Sequence, residues 1–271
     1  VPDGPAAATD LSYGSYHTRK AHAWGGTGGD RGGILLETVH IGSEGFKVLD
    51  SGGDTGFERT EGMLKGRLNL SQGVNAQALE LKLGYATERS DETYLGLTAA
   101  DADASPYRRY SASSEGLMIW QRTQAELAWD ARLGQQVNVR TVAYHHGFQR
   151  AWTKLNRFND GSSLHDRMLA PEQGTNAVFL AILRGEEDSV IDDQKLLIGT
   201  NDRRFASMGV QSRAQWKTRG EVLDHDLELG VRYHVDNVTR LHTEVPFDMV
   251  NGVLKRTGED TLTTLDRITS A

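Results

Sequence analysis

The sequence predicts an all-β chain, an antiparallel meander forming part of a transmembrane β-barrel. Three observations predict it: side chains alternate with period two along most of the chain, the polar face of that alternation carries full charges, and short turns alternate with long polar connections. Alternation at period two places successive side chains on opposite faces of a strand, whereas a helix would scatter them around its axis.

Taken in order, "MLKGRLNL" sets Leu64, Leu68 and Leu70 against Lys65, Arg67 and Asn69. "ALELKLGYA" sets Leu79, Leu81, Leu83 and Tyr85 against Glu80 and Lys82. "AELAW" and "VNVRTVAY" continue the pattern, with Ala125, Leu127 and Trp129 against Gln124 and Glu126, then Val137 and Val139 against Asn138 and Arg140. Farther on, Met208, Val210, Ala214 and Trp216 oppose Gln211, Arg213 and Gln215, and Leu227, Leu229, Val231, Tyr233 and Val235 oppose Glu228, Arg232, His234 and Asp236. These patterns predict strands near 9–16, 18–25, 33–46, 57–71, 76–97, 117–130, 137–157, 203–218 and 226–242, about nine in all.

A sheet with one apolar face and one strongly charged face needs either a second soluble layer or lipid outside and water inside. The connections favour the latter. Short turns at "SQGVN", "ARLGQQ" and "RGEVLDH" alternate with long polar stretches at "KVLDSGGDTGFE", at 90–110, from Asn159 to about Asp202, and after His242. Outer-membrane barrels have short periplasmic turns and long outer loops. Trp24, Trp120, Trp129, Trp152 and Trp216 near strand ends fit interfacial girdles, and would fit a sandwich core equally well. No run approaches the ~20 apolar residues of a spanning helix. An odd strand count, a start on Val1 and a close on the polar "LDRITSA" lead to the expectation of an incomplete barrel segment.

Composition narrows the function classes. A net charge of −7 disfavours a dedicated nucleic-acid binder, and the absence of cysteine excludes disulfides, thiolate metal sites and cysteine nucleophiles. His145 and His146 are strand neighbours that point to opposite faces, so they cannot chelate one ion together. "GGTGGDRGG" lacks the Gly-Lys-Ser/Thr ending of a phosphate loop and reads as a turn between the second and third strands, and the acidic "GEEDSVIDD" reads as loop solvation. No cofactor, resident metal or catalytic constellation is expected. A barrel-type lipase pairing a serine with His40, His165 or His234, and a soluble β-sandwich carbohydrate-binding module, remain as alternatives.

The segments "LSYGSYHTRKAHAWGG", "HIGSEGFKVLDSGGDTGFERTEGMLKGRLNL", "SDETYLGLTAADADASPYRRYSAS", "RTQAELAWDA", "TVAYHHGFQRAWTKLNRF", "NDRRFASMGVQ" and "LELGVRYHVDNVTRLHTE" resemble, in the same order, the front part of the barrel of TonB-dependent outer-membrane receptors, and most of all the ferric dicitrate branch. The resemblance implies that residues 1–271 are the N-terminal part of a 22-stranded barrel of a Gram-negative outer membrane. Such a barrel surrounds a plug preceded by a TonB box, and neither is found in this sequence. It further implies uptake of a ferric chelate, citrate or a similar siderophore, driven by TonB, ExbB and ExbD, with lipid and lipopolysaccharide outside.

An anionic ferric chelate calls for cationic donors, and Arg offers a planar fork suited to carboxylates. The candidate ligand contacts are Tyr107, Arg108, Arg109 and Tyr110 on the connection after the strand at 76–97, with Arg150 and Lys154 above the membrane part of theirs. The alternatives for the arginine pair are a solvated loop tip or binding to Asp101, Asp103 or lipopolysaccharide phosphate. Glu80, Lys82, Arg67, Arg140, Arg213 and Arg232 are expected to face the barrel interior.

Overall fold

The computed structural model describes residues 1–220 and 222–270. Its strands are β1 (Ala6–Tyr13), β2 (Arg19–Gly29), β3 (Gly32–Ser43), the two-residue β4 (Val48–Leu49), β5 (Phe57–Ser71), β6 (Gln77–Asp91), the two-residue β7 (Arg108–Arg109), β8 (Leu117–Leu133), β9 (Val137–Phe158), β10 (Leu196–Arg219), β11 (Asp224–Val250), β12 (Val253–Arg256) and β13 (Thr261–Ser270). Three short helices, α1 (Ala99–Ala104), α2 (Leu164–Leu169) and α3 (Asn176–Arg184), lie in the connections. All strands except β4 and β7 form one 11-stranded antiparallel meander, ordered β1-β2-β3-β5-β6-β8-β9-β10-β11, with β12 and β13 sharing the far side of β11.

The register puts the apolar sets on one face and the charges on the other. Leu81 stands opposite Leu127 and Met208 opposite Val235, and the outer residues stay exposed: Leu83 is 41%, Leu229 73% and Tyr233 69% accessible. A sandwich would cover this face with a second sheet; here the described residues place no layer over it, and an apolar band of this extent is what lipid covers. The band ends on β11 at Val235, above which Asn237 and Thr239 take the outer positions.

On the inner face Arg67 lies opposite Glu80, Lys82 opposite Glu126, Asp130 opposite Arg140, Arg140 opposite Arg213, and Gln211 opposite Arg232, so the six residues expected inside share that face. Opposite charges alternate along it: Glu80 takes Lys65 at 3.4 Å and Arg140 at 3.6 Å, and Asp130 takes Arg140 at 2.6 Å. His146 turns inward to Glu126 at 3.0 Å while His145 lies on the other face.

Turns of a few residues join the strands at one end, where Asn69 N–H reaches Arg31 O and Lys217 N–H reaches Gln136 O. The glycines at that end are not phosphate-loop residues. A Cβ on Gly28 would lie 2.2 Å from Pro2 O, because the N-terminal residues cross over this hairpin.

Several expectations need correction. The sheet has eleven strands, not nine; β12 and β13 occupy the stretch after His242 that reads as a polar loop. Strands β9, β10 and β11 run 22, 24 and 27 residues, far more than the roughly 9–11 needed to cross hydrocarbon, so they project well above the apolar band. Above the band both faces are polar or buried, and simple alternation stops marking strands. Leu196, Leu197 and Ile198, for example, are all buried. The tryptophan girdle also splits: Trp129 and Trp216 are on the outer face, whereas Trp24 lies opposite Glu37, Trp120 opposite Arg150 and Trp152 opposite Asn201, all inside.

The long connections at the other end are folded. Phe158, Phe179, Ile182, Leu183, Leu196 and Met249 form the centre of a core that caps the strand ends. Helix α3 exists because "FLAIL" puts four apolar side chains, Phe179, Leu180, Ile182 and Leu183, into that core, and it stops where Gly185 takes φ 81°. Thr98 caps α1 by accepting from Asp101 N–H, and Ser163 caps α2 by accepting from Asp166 N–H. The acidic 185–193 stretch also has structure: Asp188 accepts from Asn251 N–H at the β11–β12 turn.

Candidate functional site

The six candidate residues separate into two places. Tyr107, Arg108, Arg109 and Tyr110 belong to the folded cap. The pairing of β4 with β7 is parallel, with Val48 opposite Arg108 and Leu49 opposite Arg109, and it sews the 44–56 and 92–116 connections together. Arg109 and Tyr110 are 1% and 0% exposed. Arg109 donates to the backbone oxygens of Glu92 and Ser113, and burial works against its charge despite Asp91 and Glu92 nearby.

Tyr110 donates its hydroxyl proton to Asp101, which also receives Arg184 at 2.6 Å and Arg108 at 3.2 Å. Burial opposes ionisation of Asp101, but the hydrogen bonds from Tyr110 and Arg184 outweigh it and hold the carboxyl below its usual range. Arg108 makes a forked contact to Asp50 at 2.9 and 3.0 Å and approaches Glu186 at 3.5 Å. Burial pushes the Asp50 carboxyl up, against the pull of Arg108. Neither a solvated tip nor an open anion site describes this group: Arg109 and Tyr110 are interior, and Arg108 is matched to Asp50 and Asp101. Tyr107 alone is exposed, edge-on to Phe46 at 5.7 Å.

Arg150 and Lys154 lie elsewhere, on the inner face of β9 above the apolar band. Register places Arg150 directly opposite Arg203 on β10, and Arg203 directly opposite Arg240 on β11. Adjacent strands are about 4.8 Å apart, so three guanidinium stems stand abreast, an arrangement that like-charge repulsion disfavours unless an anion shares it. Among the described residues Arg150, Arg203, Arg240 and Lys154 form no ion pair. Arg203 donates only to Asn201 Oδ1 at 3.1 Å, and the Nε atoms of Arg150 and Arg240 and the indole N–H of Trp152 are buried without an acceptor. Such unspent donors are costly unless something accepts from them.

Aromatic faces surround the row. Lys154 Nζ lies 3.3 Å from the centre of the Tyr94 ring and 5.1 Å from Trp152, and Arg150 lies 5.7 Å from Trp152. Trp120, opposite Arg150, leans on Phe148, which leans on Phe205. The arrangement is a cationic wall with aromatic flanks, suited to a multiply charged anion with flat or apolar parts.

Arg203, Arg240, Tyr94 and Trp120 are the site residues that sequence reasoning missed. The signal existed in parity, since Arg203 and Arg240 fall on the same alternation as Arg213 and Arg232. Nothing local tells that they stand level across three strands. Two of the three histidines named for a lipase are otherwise engaged: His40 with Thr60 at 3.0 Å, and His234 with Tyr144 at 2.7 Å and Asp236 at 2.9 Å. Among the described residues no serine hydroxyl bonds a histidine.

No protein-family model matches the chain, and no curated protein matches it by sequence. Solved structures do match. The ferric citrate transporter FecA in its unliganded form aligns with a TM-score of 0.63 at 15% identity, over 99% of this chain and 34% of its own. The ferric-catecholate import receptor Fiu from E. coli K12 aligns with a TM-score of 0.58 in its closed form at 11% identity, over 96% of this chain and 37% of its own. Its open form gives 0.58 at 13% identity, over 96% and 39%. The chain thus spans about a third of the length of these proteins and shares the fold of that part, an antiparallel segment of a β-barrel wall.

Proposed function

We propose that residues 1–271 are the front part of the barrel wall of an outer-membrane receptor that captures an anionic ferric chelate, of citrate or a similar siderophore type, and passes it inward without covalent chemistry. The observation that carries this reading is the unpaired row Arg150–Arg203–Arg240 with Lys154 beside it. A water-filled lumen normally tempers its charges with opposite ones, as the face below does with Glu80 and Asp130. Among the described residues the one carboxylate in register along the upper row, Asp266 opposite Arg240, makes no ion pair with it, and a chelate with several carboxylates would supply the missing partners.

Under this reading the exposed Leu, Val and Trp positions face lipid and lipopolysaccharide, and the alternating inner charges below the row face a plug. Energy arrives from TonB, ExbB and ExbD through that plug and its TonB box, and the iron chelate is cargo, with no resident cofactor. Ligand contact falls to Arg150 and Lys154 together with Arg203 and Arg240. Arg108, Arg109 and Tyr110 support the cap, and Tyr107 lies at its surface. The aromatic faces of Tyr94, Trp120 and Trp152 favour a second cargo, a ferric chelate with aryl rings.

The test is equilibrium binding of ferric citrate to the full-length protein in detergent micelles, with a ferric catecholate as competitor. The double change Arg203→Gln with Arg240→Gln is expected to weaken binding at least tenfold, since charge-assisted hydrogen bonds contribute about 1.5–3 kcal/mol each. Unchanged affinity for both probes rejects the reading.

A further inference from the structure

Just above the arginine row, on the same inner face of β11, stands His242, opposite Asn201 of β10 and Thr264 of β13. It lies well past Val235, where the outer apolar band ends, and it is half-buried. Its surroundings are asymmetric. From β9 it faces Lys154 and Asn156, from β10 Arg203, and from its own strand Arg240 and Glu244; Asp266 of β13 stands opposite Arg240 without pairing to it.

The hydrogen bonding fits the neutral ring. Asn156 Nδ2 donates to Glu244 Oε1 at 2.8 Å and has a second hydrogen for His242 Nε2, 3.4 Å away. An Nε2 that accepts from an amide cannot carry a proton. Glu244 itself is engaged by Asn156 and by Arg157 at 2.9 Å, so its charge is already shared. Gly199 permits this close packing, because a Cβ there would collide with the Asn156 amide and lie 3.0 Å from His242 Nε2.

We propose that His242 is the pH-responsive member of the anion site: neutral while the row is empty, it takes up a proton when a multivalent anion binds, adding a cation to Arg150, Lys154, Arg203 and Arg240. This deepens the chelate-receptor reading and rests on it. The sign follows from linkage. Burial, and after it the charges of Arg240, Lys154 and Arg203 acting against Glu244, hold the imidazolium below its ordinary range in the empty site. An anion over the row reverses the field and raises that pKa, so binding consumes protons and strengthens as pH falls through the histidine range.

The experiment uses hexacyanoferrate(III), an iron complex whose triply negative charge does not change between pH 5.5 and 7.5, titrated calorimetrically into the full-length protein in detergent. Runs in two buffers of different ionisation enthalpy count the protons taken up. The wild type is expected to bind roughly three- to tenfold more tightly at pH 5.5 than at pH 7.5, with net proton uptake. His242→Gln is expected to abolish both effects, so that its affinities at pH 5.5 and pH 7.5 agree within about twofold and no protons are taken up. The same pH slope and proton uptake in His242→Gln would overturn the inference while sparing the anion site, provided Arg203→Gln with Arg240→Gln abolishes binding. No binding by the wild type at either pH would overturn both.

Discussion

The cap and the inner wall use arginine in opposite ways. In the cap Arg108 is matched to Asp50 and Asp101, Arg184 to Asp101, and Arg167 to Asp160 while lying 3.4 Å over the Phe179 ring. On the wall Arg150, Arg203 and Arg240 stand side by side without an ion pair among the described residues, and the buried Nε atoms of Arg150 and Arg240 have no acceptor. Arg109, held in the cap by backbone oxygens with its Nε and Nη1 unpartnered, is the cap's exception. Matched guanidinium groups fasten one segment to another and leave little for a ligand. Unmatched ones are held apart by strands whose ladder hydrogen bonds keep them in place despite repulsion, so they retain affinity for an anion. Arginine content therefore locates a candidate site poorly, whereas several arginines level across adjacent strands without an ion pair locate it better.

The strongest way to break this comparison is to unmatch the cap. Asp101→Ala would leave Arg184, Arg108 and Tyr110 without their common acceptor and should destabilise the cap by about 3 kcal/mol, because an uncompensated charge remains in a poorly solvated place. Hydrogen exchange should rise sharply across 95–113 and 176–186 and stay unchanged in β5 and β6. Uniform exchange would mean that the cap and sheet unfold as one unit.

Removing charge from the wall should do the reverse. Arg203→Gln with Arg240→Gln should leave the denaturation midpoint equal or slightly higher, since repulsion is relieved, while costing at least tenfold in ferric citrate affinity. A large loss of stability would show the row to be structural.

Acid provides a milder version of the first test. The folded pKa of Asp101 lies below its unfolded value, so its contribution is present above about pH 4 and lost as pH falls further, through the folded pKa. Asp50, whose carboxyl is pushed up, contributes with the opposite sign and reduces the net loss. Hydrogen exchange in the cap should accelerate below about pH 4 relative to the sheet after correction for intrinsic rates, and Asp101→Asn should remove most of that difference.

Tyr110→Phe deletes the hydrogen bond to the Asp101 carboxylate and the one its oxygen accepts from Thr98 N–H, and should cost the cap about 2–3 kcal/mol in the same measurement. The smallest effect sharpens the contrast most: Arg108→Ala, a change at the most conspicuous basic motif in the sequence, should alter ferric citrate affinity by less than about twofold. A tenfold loss would return the cap to the ligand site.

Much of the sheet is legible because each strand within the apolar band has one wet and one dry face. Leu79 to Tyr85 and Leu227 to Val235 declare both their strands and their orientation, and the inward set from Arg67 to Arg232 follows from parity. The upper part of the molecule is not legible in this way. Leu196 to Ile198 are buried on both faces, the apolar residues of β13 (Leu262, Leu265 and Ile268) recur every third position and not every second, and the helices of the cap draw their apolar residues together from connections far apart in sequence. "PYRRY" is legible only in part: its partner Asp101 is close in sequence, whereas Asp50 and Glu186 lie far away along the chain.

By itself the sequence determined the antiparallel strands of the apolar band, because period-two alternation is a local consequence of strand geometry with one face apolar and the other charged. It also determined that cations would line the interior. Which cations stand together was decided by register, a property of pairs of strands: a shift of one residue between β10 and β11 would put Arg240 on the other face from Arg203. Burial of Arg109 and Tyr110 likewise exists only once the connections have folded over the strand ends.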